Sequence, residues 1–295
     1  MTATPPALGL LLDVDGPLAS PVTRTIALPA ITRDLVALAA AGVPLVFNTG
    51  RSDAFIRTEV VGPLLAAGLP AGARVHGVCE KGAVWFSIGP EHGPDGTSPI
   101  EVDASLAMPA DFAAEMRALV AAEYADLVFF DETKHAMVSV EQLTSVDSAT
   151  YLSRQAGLDA RIVDALTRRG FGVRRLDDVR PDADGAVQWR IDPTIISTDV
   201  ESVHLGKDLG ADRALELLAA DGALPTSWRT VGDSRSDYAM ADRLHALGHD
   251  VAHVDVRPAD GVPATPYPVL TAADGVVHDE AGAEFLAAWV RQVGA

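Results

Sequence analysis

Two pairs of aspartates have the type and spacing to do chemistry. Asp13 and Asp15 follow the apolar run Leu8–Leu12, and Asp233 and Asp237 follow a second apolar run. Residues two apart in an extended segment point the same way. Paired carboxylates repel one another, attract a hard cation such as Mg²⁺, and can divide nucleophilic from acid–base work. A solvated turn at the first pair, or capping of a helix by Asp233 or Ser236, would explain the same residues without chemistry.

A further group of residues is suited to binding phosphate. Thr49 and Gly50 follow the apolar segment Val43–Phe47, and a hydroxyl beside exposed N–H groups at a helix start suits an anion. Lys207 begins a predicted helix, where the helix dipole disfavours a cation unless an anion accompanies it. The alternatives are an ordinary N-cap at Thr49 or Ser52 and a solvated lysine.

These residues lie at the ends of elements that alternate between strand and helix. Leu8–Leu12 and Val43–Phe47 predict strands buried on both faces of a parallel sheet, each followed by a helical pattern. After about residue 199 the same alternation of strand and helix is found again, with a helix at Lys207–Ala220 and a strand at Trp228–Val231. This order predicts an α/β fold with a doubly wound, mostly parallel sheet. Ligands of such sheets bind at the carboxyl ends of the strands, where the aspartates are expected.

A segment with a different order of predicted strands and helices interrupts this alternation. From about Val84 the sequence predicts a helix, two strands, a helix and two strands, which is typical of a separate α+β module. We therefore predict a discontinuous core domain at residues 1–83 and 200–295, and an inserted domain at residues 84–199.

Composition excludes several classes of protein. The chain has 295 residues, of which 48% are hydrophobic, so it can bury a full core. It has 23 Lys plus Arg against 41 Asp plus Glu, a net charge of −18, which argues against nucleic acid as a partner. No apolar stretch would span a bilayer and no signal peptide is recognisable, so we expect a cytoplasmic protein without a membrane partner. The single cysteine, Cys79, excludes an internal disulfide.

Taken in order, the motifs resemble those of the haloacid dehalogenase (HAD) superfamily of phosphotransferases. The matching segments are D-x-D-G at Asp13, T-G-R at Thr49, the helix-starting Lys207, and G-D-x-x-x-D at Asp233. In such enzymes the first aspartate is phosphorylated and the second is the general acid–base. The resemblance implies Asp13 and Asp15 as catalytic residues, Thr49, Gly50 and Lys207 as phosphate ligands, and Asp13, Asp15, Asp233 and Asp237 as the residues that hold or orient Mg²⁺.

The position of the insertion indicates one branch of the superfamily. The interval from Asp13 to Thr49 has room for one helix and a loop, so the insertion lies between Thr49 and Lys207. This resembles the branch that contains Cof-type sugar phosphatases, sucrose-phosphate and trehalose-phosphate phosphatases, and phosphomannomutase, in which the insertion is a cap. The segment C-E-K-G-A-V-W from Cys79 is similar to the E-N-G-A signal of that branch, with Lys81 in place of the usual Asn.

Other positions depart from the branch or extend the resemblance. Pro17 follows D-x-D-G where many phosphatases have Thr, and Ser236 precedes the final Asp where the branch often has Asn. Lys134 and His135 are similar to the charged cap segment of trehalose-phosphate phosphatases, and Arg190 lies on a predicted cap strand. These three are candidates for binding the substrate, with a solvated cap surface as the alternative.

The resemblance implies a phosphoric monoester hydrolase. We expect a Mg²⁺-dependent phosphatase that acts on a small phosphorylated metabolite, with a sugar phosphate as the expected class, through an aspartyl-phosphate. The alternative within the branch is a phosphomutase, which keeps the aspartyl-phosphate for a second transfer. A non-catalytic sugar-phosphate-binding protein and a phospho-acceptor receiver module are alternatives from other classes. Receiver modules are shorter, lack an inserted domain and carry the acceptor on a later strand.

Overall fold

The chain folds into two compact units. The computed structural model describes residues 5–295. Unit one contains the chain up to Glu101 together with Gly206–Ala295, and unit two is Val102–Leu205.

Strands and helices alternate along most of the described chain. The strands, numbered in chain order, are β1 (Gly9–Leu12), β2 (Leu45–Asn48), β3 (Val75–Cys79), β4 (Val84–Ile88), β5 (Glu101–Val102), β6 (Val128–Phe130), β7 (Val138–Gln142), β8 (Val173–Arg175), β9 (Asp178–Arg180), β10 (Trp189–Pro193), β11 (Ser197–Ser202), β12 (Ser227–Gly232), β13 (Asp250–Asp255) and β14 (Val269–Leu270). The α-helices are α1 (Pro29–Ala40), α2 (Asp53–Ile56), α3 (Gly62–Ala66), α4 (Ala110–Leu119), α5 (Ser148–Arg168), α6 (Lys207–Asp221), α7 (Tyr238–Ala246) and α8 (His278–Val293). None of the helices within residues 5–295 is long and apolar enough to cross a membrane.

The larger sheet has the strand order β14-β13-β12-β1-β2-β3-β4-β5. The strands from β14 to β3 run parallel to their neighbours, and β4 pairs antiparallel with β3. Every residue of β1 is buried, as expected for a central strand covered on both faces. Helix α6 packs on β2 and β3, and α7 packs on β12 and β13. The predicted doubly wound, mostly parallel α/β sheet is confirmed.

Both boundaries of the inserted unit lie later in the chain than the boundaries that the sequence pattern predicts. The sequence places the insertion at residues 84–199, whereas the second compact unit is Val102–Leu205. Strand β4 pairs with β3 from Val84 to Ile88, so it extends the larger sheet. At the other end, β11 crosses the expected boundary because it pairs with β7 and β10 in the smaller sheet. Buried and half-buried residues alternate along β4, a pattern that would suit a strand of either sheet. Only the pairing with β3 therefore shows that β4 belongs to the larger sheet.

The smaller sheet has the strand order β6-β7-β11-β10-β8-β9 and packs with α4 and α5 in an α+β arrangement, which confirms that part of the predicted fold class. Phe112 on α4 and Ile162 on α5 are fully buried in the apolar core of this unit. The carboxylate of Asp159 on α5 is also fully buried. It accepts from Nε of Arg175 at 2.8 Å and from the hydroxyl of Thr198 at 2.9 Å, which ties the helix to the sheet.

We predict a pH dependence of stability from His253, a fully buried residue of β13. Its ring contacts the hydroxyl of Thr230 at 2.8 Å, and burial lowers the pKa of His253 to about 4. The unfolded chain therefore binds a proton below about pH 6.5 that the folded chain does not bind until about pH 4. Stability should fall by about 3 kcal/mol as the pH drops through this interval, measured by urea unfolding.

The matched variants are His253→Asn and His245→Asn, the latter at an exposed position of α7. We expect His253→Asn to flatten the dependence between pH 6.5 and 4, and His245→Asn to leave it as in the wild type. Identical profiles for the wild type and His253→Asn would contradict the assignment.

Candidate active site

The carboxyl ends of three neighbouring strands bring the predicted motif residues together within unit one. Strand β1 lies between β12 and β2, and all three are parallel. Asp13 directly follows β1, Thr49 follows β2, and Asp233 follows β12. The N–H of Asp13 donates to the carbonyl of Val231 at 2.9 Å, so the ladder between β1 and β12 continues up to the first aspartate.

Lys207 is the centre of a buried ion-pair cluster. It is the first residue of α6, and its side chain is only 8% exposed. Its Nζ donates to Oδ1 of Asp13 at 2.6 Å and to the carbonyl of Asn48 at 2.7 Å, and lies 2.8 Å from Oδ1 of Asp237. The two carboxylates supply the negative charge that a lysine needs at a helix N-terminus. Since Nδ2 of Asn48 donates to the Lys207 carbonyl at 2.9 Å, α6 is tied to β2 in both directions.

Two glycines allow the elements to approach this closely. A methyl group at Gly210, in the first turn of α6, would lie 2.0 Å from Oδ1 of Asn48. Gly16 has a φ of +93°, and a methyl group there would lie 2.6 Å from Cγ of Asp233. Larger residues would separate α6 from β2, or the turn after β1 from Asp233.

The charges around Lys207 shift the pKa values of its neighbours in different directions. Burial, followed by repulsion from Asp237, raises the pKa of Asp13 well above its ordinary value, although Lys207 opposes this. Burial also acts to raise the pKa of Asp237, but the charge and hydrogen bonding of Lys207 outweigh it and lower that pKa. Burial acts to lower the pKa of Lys207, but Asp13 and Asp237 outweigh it and raise that pKa. The cluster therefore holds more negative charge than one ammonium compensates.

Asp237 is fixed by the backbone of the turn that precedes α7. Its Oδ2 accepts from the N–H groups of Asp233 at 3.2 Å and Ser234 at 3.0 Å, and from the Ser234 hydroxyl at 2.7 Å. The turn thus carries a capping box, but its N-cap is Ser234 and not Asp233 or Ser236 as the alternative proposed, and the box coexists with the ion pair to Lys207. Ser236, which replaces the Asn common in the branch, contacts the Ser234 hydroxyl at 2.8 Å.

Asp233 is the most accessible carboxylate of the cluster, at 19% exposure of its side chain. Burial and the charge of Asp237 raise the pKa of Asp233. Nη1 of Arg257 and Nδ1 of His278 each lie 3.8 Å from its Oδ2. A cation that binds Asp233 would therefore relieve repulsion between carboxylates.

The residues present fit a magnesium ion. One carboxylate oxygen from each of Asp13, Asp233 and Asp237 lies within 4.8 Å of the others. Hard oxygen ligands are those that Mg²⁺ prefers. Burial, and then the charge of Asp237, raise the pKa values of Asp13 and Asp233, so a cation at this position would stabilise both ionised carboxylates. These three residues would hold the ion.

Asp15 has a different partner, which the sequence analysis missed. Nε and Nη2 of Arg51 donate to the two carboxylate oxygens of Asp15, each at 2.9 Å. The pair joins the turn after β1 to the loop after β2, and the guanidinium also lies 4.7 Å from the ring centre of Phe55. The sequence did contain a signal for this contact, namely the arginine of T-G-R. Because β1 and β2 are adjacent and parallel, the loop that carries this arginine lies next to Asp15. Arg51 therefore fixes the carboxylate predicted to be the general acid–base.

Thr49 and Gly50 form the loop predicted to bind phosphate. Thr49 is buried, and its Oγ1 accepts from the N–H of Arg51 at 3.1 Å. Ser52 is the N-cap of α2 and accepts from the N–H of Phe55 at 3.4 Å. The ordinary capping role thus belongs to Ser52, which leaves Thr49 at the end of β2 beside Asn48.

The predicted substrate residues of the insertion lie in unit two. Lys134 and His135 are in the turn between β6 and β7, where Lys134 is half-buried and His135 is exposed. Arg190 lies on β10, where Nε donates to the buried carboxylate of Glu201 at 2.6 Å and Nη2 donates to the carbonyl of Leu205 at 2.8 Å. These bonds fix the Arg190 side chain within unit two.

We predict that Lys207→Gln lowers the stability of the metal-free protein by about 3–5 kcal/mol, because it leaves Asp13 and Asp237 buried without a cation. The measurement is urea unfolding at pH 7 in the presence of a chelator. Adding Asp237→Asn to this variant should restore part of the loss, because it removes one of the two uncompensated charges. Unchanged unfolding of Lys207→Gln would show that the cluster contributes nothing to the fold.

Comparisons with known proteins identify the fold. No family model and no curated protein matches the sequence. Among solved structures, the C-terminal domain of the C. albicans trehalose-6-phosphate phosphatase matches with a TM-score of 0.66 at 13% identity, over 97% of this chain and 93% of that one. A haloacid dehalogenase-like hydrolase from Bacteroides thetaiotaomicron matches with a TM-score of 0.58 at 11% identity, over 95% and 98% of the two chains.

A sugar phosphatase of HAD subclass IIB also matches, with a TM-score of 0.51 at 15% identity, over 95% of this chain and 98% of that one. Identities this low establish the fold and nothing finer. The strand order, the inserted α+β unit and these similarities agree, so the resemblance drawn from the motifs is confirmed at the level of the fold. The chain has the fold of the haloacid dehalogenase superfamily, with an inserted α+β unit.

Proposed function

We propose that the protein is a Mg²⁺-dependent phosphatase that hydrolyses a small phosphorylated metabolite through an aspartyl-phosphate. The observation that carries this proposal is the cluster in which Lys207 joins Asp13 to Asp237 beside Asp233, at the carboxyl ends of β1 and β12. Sugar phosphates are the proposed substrate class, because two of the structural neighbours are a trehalose-6-phosphate phosphatase and a sugar phosphatase.

In the first step, Asp13 acts as the nucleophile. Lys207 bonds to Oδ1 of Asp13, so we assign the attack on phosphorus to Oδ2. The new O–P bond forms as the bond from phosphorus to the substrate alcohol breaks, and Asp15 gives its proton to the departing oxygen. To act as the acid, Asp15 gives up one of its two hydrogen bonds from Arg51 so that this oxygen carries the proton, and the other bond keeps the carboxyl group oriented.

In the second step, water cleaves the aspartyl-phosphate. Asp15, now a carboxylate, takes a proton from the water as its oxygen attacks phosphorus. The bond between phosphorus and Asp13 breaks, which restores the Asp13 carboxylate and releases inorganic phosphate. One residue thus serves as acid and then as base.

The phosphoryl group carries negative charge throughout, and several groups are positioned to stabilise it. We assign Thr49 and the backbone at Gly50 as hydrogen-bonding partners of its oxygens. Lys207 adds a positive charge next to Asp13. A Mg²⁺ ion held by Asp13, Asp233 and Asp237, with the backbone of Asp15 beside them, would supply charge neutralisation between the nucleophile and the phosphate.

Selection among alcohols is assigned to unit two, the proposed cap domain. The core motifs treat phosphate monoesters alike, because they contact the phosphoryl group and the metal. Lys134, His135 and Arg190 are the proposed substrate contacts there, although Arg190 also pairs with Glu201. The direct test is a screen for phosphate release across a panel of phosphorylated metabolites with Mg²⁺. Steady release supports a phosphatase, whereas transfer of phosphate within the substrate without release would indicate a phosphomutase.

The first prediction concerns the metal. Chelation should abolish phosphate release, and added Mg²⁺ should restore it, because Asp13, Asp233 and Asp237 place like charges together that a divalent cation offsets. Mg²⁺ should also raise the melting temperature of the wild type more than that of Asp233→Asn. Full turnover in excess chelator would overturn the metal assignment.

The second prediction separates the roles of the two leading aspartates. Asp13→Asn should eliminate both turnover and covalent phosphate, because the amide cannot form the aspartyl-phosphate. Asp15→Asn should still accumulate covalent phosphate from a substrate with a good leaving group, but hydrolysis of that intermediate should slow by about 10²–10⁴-fold.

Rapid quench with mass spectrometry would measure both effects. The matched control is Asp250→Asn, because Asp250 is exposed at the amino end of β13, at the opposite edge of the sheet. It should behave as the wild type. Covalent labelling of Asp13→Asn at the wild-type level would contradict the assignment of the nucleophile.

A further inference from the structure

Helix α8 begins at the same edge of the sheet as the aspartate cluster. Its first residue is His278, whose N–H donates to the carbonyl of Val256 at 2.8 Å. Val256 directly follows β13, and its N–H donates to the carbonyl of Gly232 at 3.0 Å. Gly232 ends β12 and precedes Asp233, so two backbone hydrogen bonds connect the start of α8 to the position of this aspartate.

The next turn of α8 is fixed by the D-x-D-G segment. Gly282 lies four residues after His278, and a methyl group there would lie 1.8 Å from the carbonyl oxygen of Pro17. Glycine is therefore needed for α8 to approach the turn that follows Asp15. The end of β12 and this turn together determine where His278 lies.

The backbone of His278 has a conformation that few residues other than glycine adopt. Its φ is 53°, in the left-handed region, and the residue is half-buried. Glycine would adopt this conformation without strain, and asparagine would do so with less strain than most residues. A strained residue that persists points to a function, so the imidazole is the feature to explain.

The imidazole of His278 faces the carboxylate of Asp233. Nδ1 lies 3.8 Å from Oδ2 of Asp233, and it is a buried atom with no hydrogen-bond partner among residues 5–295. Buried polar atoms are nearly always paired, and an ionised carboxylate only accepts, so we assign Nδ1 as a donor directed at Asp233. The separation exceeds an ordinary N–H···O distance by about 1 Å, which a small shift of either side chain would close.

Arg257 faces the same oxygen from a second element. Its Nη1 lies 3.8 Å from Oδ2 of Asp233, and its Nη2 pairs with Asp260 at 2.7 Å. The N–H of Arg257 donates to Oδ1 of Asp255 at 2.8 Å, which fixes the backbone of the loop after β13. Two nitrogen donors, one from α8 and one from this loop, thus converge on one carboxylate oxygen.

Asp233 is the aspartate of the cluster that most needs such partners. Lys207 bonds to Asp13, and backbone N–H groups together with Ser234 bind Asp237. The carboxylate of Asp233 accepts no hydrogen bond from the part of the chain that the structure describes. A carboxylate that can rotate binds a cation less tightly than an oriented one, because binding must also immobilise it.

We propose that His278 is a positioning residue of the active site. In the metal-loaded protein its Nδ1–H donates to Oδ2 of Asp233 and, with Arg257, fixes the orientation in which this carboxylate binds the cation. This inference rests on the proposed function and adds to it a residue that none of the core motifs contains. Loss of a hydrogen-bonding partner of a metal ligand typically weakens metal binding by about 10–100-fold.

The first test measures the affinity of the full chain for Mg²⁺ alone by calorimetry. His278→Gly removes the donor, so it should weaken Mg²⁺ binding by about tenfold or more. The melting temperature of the metal-free protein should change little, because relief of strain offsets the greater freedom of glycine in the unfolded chain. His278→Asn keeps an N–H donor and tolerates the left-handed backbone, so its affinity should stay within about threefold of the wild type.

The matched control is Leu176→Gly, which makes the same backbone change at an exposed residue of unit two with a φ of 50°. It should leave the affinity for Mg²⁺ unchanged. Saturating Mg²⁺ should restore the kcat of His278→Gly towards that of the wild type, because His278 acts through Asp233 and not on the substrate. A residue that only shapes the start of α8 would leave the affinity for Mg²⁺ unchanged in His278→Gly, since glycine fits that backbone.

The second test observes the imidazole in the wild type. Protein labelled with ¹⁵N at histidine gives ring signals from eight histidines, and His278→Asn identifies those of His278. In the presence of Mg²⁺ the Nδ1 signal of His278 should be that of a protonated nitrogen and should have shifted on addition of the ion. The signals of His245, which is exposed on α7, should stay in place. A His278 ring without a proton on Nδ1 in the presence of Mg²⁺ would contradict the proposal.

The outcomes separate this inference from the proposed function. If the wild type releases phosphate in a Mg²⁺-dependent manner but His278→Gly binds Mg²⁺ as tightly as the wild type, His278 is not a positioning residue. Equal loss of affinity in His278→Gly and His278→Asn would also overturn the role of the donor. If the wild type binds no Mg²⁺, this inference and the metal assignment both fail. If it binds Mg²⁺ with the expected dependence on His278 but turns over no substrate on the panel, only the catalytic proposal is contradicted.

Discussion

The buried ammonium group of Lys207 is the interaction on which the site depends. It lies between Asp13 after β1 and Asp237 before α7, and it also bonds to the last carbonyl of β2. One cation therefore joins the ends of the parallel strands β1 and β2 to the turn before α7, through residues far apart in sequence. Buried charges are costly unless they are paired and hydrogen-bonded, so this pairing constrains where α6 begins and how close it approaches β2.

The same cluster explains why the site is suited to a second cation. One ammonium group faces Asp13, Asp233 and Asp237, so the carboxylates remain undercompensated, and the pKa values of Asp13 and Asp233 are raised. Asp15 does not share the charge of Lys207, because Arg51 binds both oxygens of its carboxylate. The four aspartates of the motifs thus divide into three that converge and one that is held separately, as the proposed division between metal binding and acid–base work requires.

Much of the fold and the core of the site follow from sequence order alone. Apolar runs that end in Asp13, Thr49 and Asp233 must form parallel strands whose carboxyl ends share one edge, because chain direction and burial leave little freedom. The alternation of strand and helix predicts the doubly wound sheet, and the long interval before Lys207 predicts an inserted α+β unit. These features are local or periodic, so they can be read without a structure.

Tertiary structure decided which partner each side chain took. The sequence predicted either Thr49 or Ser52 as the N-cap of the helix after β2. In the structure Ser52 caps α2, because Thr49 directly follows the last residue of β2. Pairing placed β4 in the larger sheet, although its pattern of burial suits either sheet. The bonds from Arg51 to Asp15 depend on the spacing of the adjacent strands β1 and β2. The sequence therefore determined the order of the elements and the residues at their ends. The contacts between side chains were decided by the pairing of distant segments, because the distance between segments far apart in the chain has no counterpart in a local or periodic pattern of residues.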